Sequence, residues 1–212
     1  MKVLVIAPHP DDESLGCGGT LCLHAARGDR VFGVCLSSGE LGLKDLPRAE
    51  AWKVRESEGR SAAKILGLAG IVFLRCPDWG IGDEIGKTAR ALRPILKREA
   101  PDLIYLPHPG DWHPDHKAAL SVVQAALAPC KIPKPALRGY EIWTPLSEYD
   151  HVEDITSVLP RKVKAIRAHQ SQVRQFPYER AARGLNQYRG ALAAKSRYAE
   201  VFLDLDASAR DR

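Results

Sequence analysis

Short apolar, β-branched runs recur along this chain at intervals filled by helical patterns, and that alternation constrains the fold more than any other feature. VLVIA (3–7), VFGVCLS (31–37), IVFLR (71–75) and DLIYLP (102–107) read as buried strands. Between and after them the pattern predicts helices over Gly18–Ala26, Arg48–Leu66, Asp83–Glu99 and Pro114–Leu127. Repeated βα units require a parallel sheet covered on both faces, so the expected class is α/β, a Rossmann-like, open, mostly parallel sheet. The proline-rich APCKIPKPALRG (128–139) breaks the pattern and reads as a surface crossover, because the piece after it is too small to hold a core of its own. GYEIWTPL (139–146) then predicts a further strand, 157–195 helices, YAEVFLDL (198–205) an edge strand, and the last residues a polar tail. The expectation is one domain over 1–212, with a core in 1–128 and a C-terminal strand and helices in 136–205.

Composition narrows the function classes. The five cysteines, Cys17, Cys22, Cys35, Cys76 and Cys130, form no C-x-x-C pair, so neither a disulfide framework nor a thiolate zinc site is expected. A strand begins within three residues of Met1 and no apolar run is long enough to span a membrane, which predicts a soluble, cytoplasmic protein. The net charge of +5 comes from Lys and Arg scattered among acids, not gathered in a run, so nucleic acid is not an expected partner. The same balance helps attract an anionic small molecule. Assembly into a homo-oligomer is left open.

In open parallel sheets, ligands bind beyond the carboxyl ends of the strands. HPDDESLGCGG (9–19) and PHPGDWHPDH (107–116) both occupy such ends, so two clusters of His and Asp should meet on one edge of the sheet. Aspartates at helix starts are ordinarily caps, but converging imidazoles and carboxylates match a catalytic metal site for Zn²⁺ or Fe²⁺. Pro114 suits the first helical position, which puts His113 at the cap and His116 three residues on, both facing one cavity. In PHPDD two prolines stiffen the loop bearing His9. Periodicity leaves open whether Asp11 or Asp12 is the metal ligand. Arg55 falls on an inward stripe with Trp52, Gly59, Ala62 and Leu66, and an inward Arg needs a partner. Glu58, three residues away, and a substrate group are the two candidates.

PHPDDE with the following Gly16-Cys17-Gly18-Gly19, HPDH, and the R-x-x-E of Arg55 and Glu58 together resemble the LmbE-like (PIG-L) family of metal-dependent de-N-acetylases. AAKILG (62–67), AHQSQ (168–172), YRG (188–190) and YAEVF (198–202) extend the resemblance along nearly the whole chain. It implies removal of the acetyl group from an N-acetylglucosamine-type sugar conjugate by metal-activated water. It further implies zinc held by His9, Asp12 and His116, with Asp11 as general base. His113 then suits stabilisation of the tetrahedral oxyanion, and Asp115 is placed to keep it protonated or oriented. Arg55 would reach a hydroxyl or anionic group of the substrate, while Asp111 and Asp78 would orient imidazoles or bind sugar hydroxyls. His169, Tyr188 and Arg189 match family positions, and His108 lies behind the second cluster.

One segment departs from the family pattern. Between Ser38 and Arg55 many relatives carry a small, Gly- and Thr-rich loop, whereas this chain has the bulkier, more charged GELGLKDLPRAEAWKV. Two alternatives compete with the enzyme. A Rossmann-like dinucleotide-binding protein would account for the strand and glycine-rich turn, but the full G-x-G-x-x-G is absent and PDDE would repel a pyrophosphate. A non-catalytic sugar-binding relative would not need the base and ligands that are present.

Overall fold

The first strand, β1 (Lys2–Ala7), feeds two cores because its side chains alternate between the faces of the sheet. Val3 and Val5 pack with Cys17, Leu21 and Leu66 of helices α1 (Asp12–Ala26) and α2 (Arg48–Leu66). Leu4 and Ile6 pack on the other face with Leu92 and Leu96 of α3 (Ile85–Glu99) and with Ala119 and Val122 of α4 (Pro114–Leu127). The computed structural model describes residues 1–206, and the expected α/β class holds. Its sheet adds β2 (Arg30–Ser37), β3 (Gly70–Cys76), β4 (Leu103–Pro107), β5 (Ala136–Tyr140), β6 (His151–Asp154) and β7 (Ala199–Asp204). The strand order is β3-β2-β1-β4-β5-β7-β6, and β7 alone runs against the others. Three further helices follow β6, namely α5 (Leu159–Ala168), α6 (Gln170–Val173) and α7 (Tyr178–Arg189). No helix of the described residues is long and apolar enough to cross a membrane.

β1 pairs with β2 on one side and with β4 on the other, so the chain's winding reverses between β1 and β4. That reversal opens a crevice beyond their carboxyl ends. Both His and Asp clusters leave the sheet there.

Three expectations need correction. β7 is not an edge strand: Ala199 to Phe202 are buried between β5 and β6, and the edge belongs to β6, whose short polar sequence HVED has no apolar run to reveal it. The strand expected over 139–146 is instead Ala136–Tyr140, because Trp143 and Thr144 turn away to donate their backbone N–H groups to Asp111. Helix α1 begins at Asp12, six residues before the expected start, since its glycines answer to packing rather than helix propensity. A Cβ on Gly16 would lie 2.3 Å from the Tyr140 ring, and one on Gly19 would lie 2.6 Å from Ile155. The helix kinks at Cys17, and the N–H groups of Gly19 and Thr20 donate to Glu200 at 2.8 and 2.7 Å. Glu200 is in turn paired with fully buried Lys162 at 2.7 Å. The expected polar tail falls on residues 207–212, outside the described residues.

Candidate active site

At the crevice Asp12 sits between two imidazoles. Its Oδ2 accepts the His9 backbone N–H at 2.8 Å and lies 3.4 Å from His9 Nδ1 and 3.3 Å from His116 Nε2. The far side of the His9 ring is gripped twice, with Nε2 3.1 Å from Asp78 Oδ1 and 3.1 Å from Asp115 Oδ2. His116 is fully buried with Nδ1 3.5 Å from Asp111 Oδ2, yet neither of its ring nitrogens has a hydrogen-bond partner among the described residues. Four buried carboxylates around two imidazoles demand positive charge. Burial opposes charge on His116, but the Asp12 and Asp111 carboxylates overcome it and push the ring up to about 9. The reciprocal effect on Asp12 wins against its own burial, and His116 and His9 hold that carboxyl well below the usual range. A cation between these donors would take over the role of the ring protons, so the donor set fits a metal ion. Donor atoms of His9, His113 and His116 also lie within 4.8 Å of one another, as do those of His9, Asp78 and Asp115.

Asp11, next to this point, has φ 126°, a conformation that side chains rarely adopt. Its N–H donates to Glu13 Oε2 at 3.2 Å, and its carboxylate lies 3.4 Å from Arg55 Nη1. Burial raises the Asp11 carboxyl to about 6 despite the opposing pull of Arg55. Arg55 Nη2 donates to the Pro10 carbonyl at 2.7 Å, while its Nε and Nη1 have no hydrogen-bond partner among the described residues. The 39–54 segment makes room for this guanidinium through Gly39, where φ is 63° and a Cβ would lie 2.7 Å from Nη2. Glu58 is not its partner: it accepts the Ser171 N–H and hydroxyl, each at 2.7 Å.

His113 caps α4, its Nδ1 accepting the Asp115 N–H at 3.2 Å. The neutral ring then carries its proton on Nε2. Burial, together with the charges of His9 and His116, lowers His113 to about 4, so the ring is not kept protonated as the sequence suggested. The Asp115 carboxylate does not touch it, accepting instead the N–H groups of Trp79 and Ile81 at 2.8 and 3.1 Å beside His9. Asp111 is likewise occupied, taking the His113 N–H at 3.0 Å and the Trp143 N–H at 3.1 Å. Asp78 Oδ2 accepts the Leu41 N–H at 2.9 Å. Both aspartates therefore direct oxygens to imidazoles and to backbone N–H groups of the loops.

The PIG-L family model, GlcNAc-PI de-N-acetylase, matches residues 4–127, more than half of the chain. This chain belongs to the PIG-L family. Among similar proteins is a probable N-acetyl-alpha-D-glucosaminyl L-malate deacetylase 2 of Bacillus anthracis, 30% identical over 80% of each chain. N,N′-diacetylchitobiose deacetylase from Pyrococcus horikoshii has a similar structure, with TM-score 0.84 and 26% identity over 96% of this chain and 83% of that one. So does GalB, the 4-carboxy-2-hydroxymuconate hydratase of Pseudomonas putida KT2440, with TM-score 0.80 and 25% identity over 97% of both chains.

Two residues of this PIG-L chain, Glu13 of PHPDDE and His169 of AHQSQ, matched the family pattern in the sequence without revealing a role. Glu13, fully buried, accepts the Asp11 N–H and the Ser14 hydroxyl, and an acidic residue in a first helical turn ordinarily passes as a dipole partner. His169 Nε2 lies 3.4 Å from Glu13 Oε1, and its Nδ1 has no hydrogen-bond partner among the described residues. The dinucleotide alternative loses its basis here, since the glycines pack on Tyr140 and Ile155 and the freed N–H groups already hold a carboxylate.

Proposed function

We propose that this PIG-L member is a metal-dependent hydrolase that removes the acetyl group from an N-acetylglucosamine-type sugar conjugate. The carrying observation is the placement of Asp12 between His9 and His116 with Asp11 beside them, at the crevice where β1 and β4 diverge. His9, Asp12 and His116 would hold the ion, because Asp12 Oδ2 lies 3.4 Å from His9 Nδ1 and 3.3 Å from His116 Nε2. The imidazole and carboxylate donors suit Zn²⁺, and Fe²⁺ as well. A bound ion supplies Lewis acidity, which activates water and polarises the amide carbonyl.

The remaining chemistry falls to the chain itself. Asp11 takes a proton from the attacking water and returns it to the departing amine, a task matched to a carboxyl raised towards neutrality. The neutral His113 donates its Nε2–H to the oxyanion. Asp78 and Asp115 fix the His9 ring and Asp111 fixes His116. Arg55 anchors the Pro10 carbonyl through Nη2 and faces Asp11 through Nη1, and its guanidinium would reach a hydroxyl or anionic group of the substrate beside them. The free state of all five cysteines supports a cytoplasmic setting.

The test is acetate release from a panel of N-acetylglucosamine conjugates, before and after chelation and after Zn²⁺ is restored. Activity lost on chelation and regained with metal supports the proposal; equal activity in the chelated protein overturns it. The likeness to GalB favours a second reading, hydration of an unsaturated acid. Mass spectrometry separates the two, because deacetylation makes the substrate lighter by one acetyl group and hydration makes it heavier by one water.

A further inference from the structure

Two large aromatic side chains stand in water beside the site without packing to explain them. Trp79 and Trp112 are 54% and 55% exposed. Their ring centroids lie 6.4 Å apart at an interplanar angle of 55°, so the indoles form two walls of an open angle. Trp79 is 4.6 Å and Trp112 5.5 Å from the centroid of His113, whose own ring is 4.8 Å from His9. The imidazole proposed to meet the oxyanion is thus flanked by the metal-site histidine and by the indoles.

Exposed tryptophans are usually loosely held, but these two are not. The Trp79 N–H donates at 2.8 Å to Asp115 Oδ2, the same oxygen that lies 3.1 Å from His9 Nε2. To make that bond Trp79 adopts φ 64°, in the left-handed region where glycine or asparagine is the usual occupant. The Trp112 N–H donates to Thr144 Oγ1 at 3.1 Å, and its neighbours Asp111 and His113 are joined by a bond of 3.0 Å. Both backbones are therefore fixed relative to the chemistry while both rings remain open to solvent. If the indoles served only to screen His113 from water, covering them would serve better than exposing them.

We infer that Trp79 and Trp112 form a stacking face for a pyranose ring of the substrate, at or next to the sugar that carries the acetamido group. An amide oxygen brought to His113 carries the rest of its molecule against these rings. The C–H face of a sugar matches the broad, weakly polar face of an indole, and a rigid aromatic loses little entropy on contact. The inference rests on the deacetylase reading of the same site and identifies what selects a carbohydrate there.

Steady-state kinetics on the zinc-loaded protein with N,N′-diacetylchitobiose, alongside an acyclic N-acetyl amine, provide the test. Trp112→Ala and Trp79→Gly should each raise KM for the disaccharide by about tenfold or more, with kcat reduced by a smaller factor. Trp112→Tyr should recover most of the loss, because it restores a stacking ring. Trp79→Gly also relieves the left-handed backbone, so a melting temperature at or above the wild-type value separates lost stacking from lost fold. Unchanged KM in both variants, with the wild type active on the disaccharide, overturns the inference alone. A wild type that releases acetate only from the acyclic amine overturns the sugar reading and this inference together.

Discussion

Arg55 Nη1 lies 3.4 Å from Asp11 Oδ2, and both side chains are less than a tenth exposed. The same guanidinium holds the Pro10 carbonyl, so one planar fork braces the loop that carries the proposed base. A lysine keeps the charge but not the fork. We expect Arg55→Lys to lower kcat by about tenfold or more and to raise KM, with metal content retained. Glu58→Gln should leave the kinetics unchanged and cost about 1 kcal/mol of stability, because Glu58 serves Ser171 instead. A kinetic defect in Glu58→Gln matching that of Arg55→Lys would refute the assignment.

Metal binding and proton transfer should separate cleanly. His9→Ala, Asp12→Ala and His116→Ala each remove a proposed ligand, and elemental analysis should show metal lost with activity. Asp11→Asn keeps size and shape but cannot accept the proton, so metal should stay while kcat falls by about a hundredfold or more. Loss of metal from Asp11→Asn would make Asp11 a ligand.

The double grip on His9 gives a graded expectation. Asp78→Asn removes one of the two carboxylates 3.1 Å from Nε2, and Asp115→Asn removes the other. Each should weaken metal affinity by about tenfold to a hundredfold, as read by competition with a chromophoric chelator. An affinity equal to wild type in Asp78→Asn would limit that residue to holding the Leu41 N–H.

Away from the site, Glu56 supplies a pH signature. Burial opposes its charge, but Arg75, Ser38 and Arg60 outweigh it and hold the carboxyl below its ordinary value of 4.5. A group lowered on folding contributes stability that is fully present above the unfolded value and is lost as pH falls through the folded one. Thermal melts of Glu56→Gln against wild type should therefore differ most above pH 4.5 and draw together as the pH falls below it. A gap that does not narrow on acidification would assign the difference to packing.

How much of this was legible beforehand depends on sequence distance. Val3 to Ala7 and Leu103 to Pro107 announced buried strands, and Pro114 announced the α4 start with His113 as its cap. Those local signals were enough to bring the two clusters together on one edge. Joint ownership of His9 by Asp78 and Asp115 was not readable, since it depends on how the turn after β3 folds over α4. The Arg55 to Glu58 pairing failed because spacing along a helix does not reveal what α6 offers from the other side. The α1 start was misplaced because Gly16 and Gly19 answer to Tyr140 and Ile155, more than a hundred residues away.

The pairing of β1 with β4 has a consequence for synthesis. Val3 finds Leu103 as its neighbour, so the innermost strand keeps one edge open until about a hundred residues more have left the ribosome. Through that interval two of the three proposed ligands, His9 and Asp12, lack the third, His116. With that ligand set, high-affinity metal capture by a nascent chain would wait for residue 116, which would make ion uptake a marker that the central strands have joined.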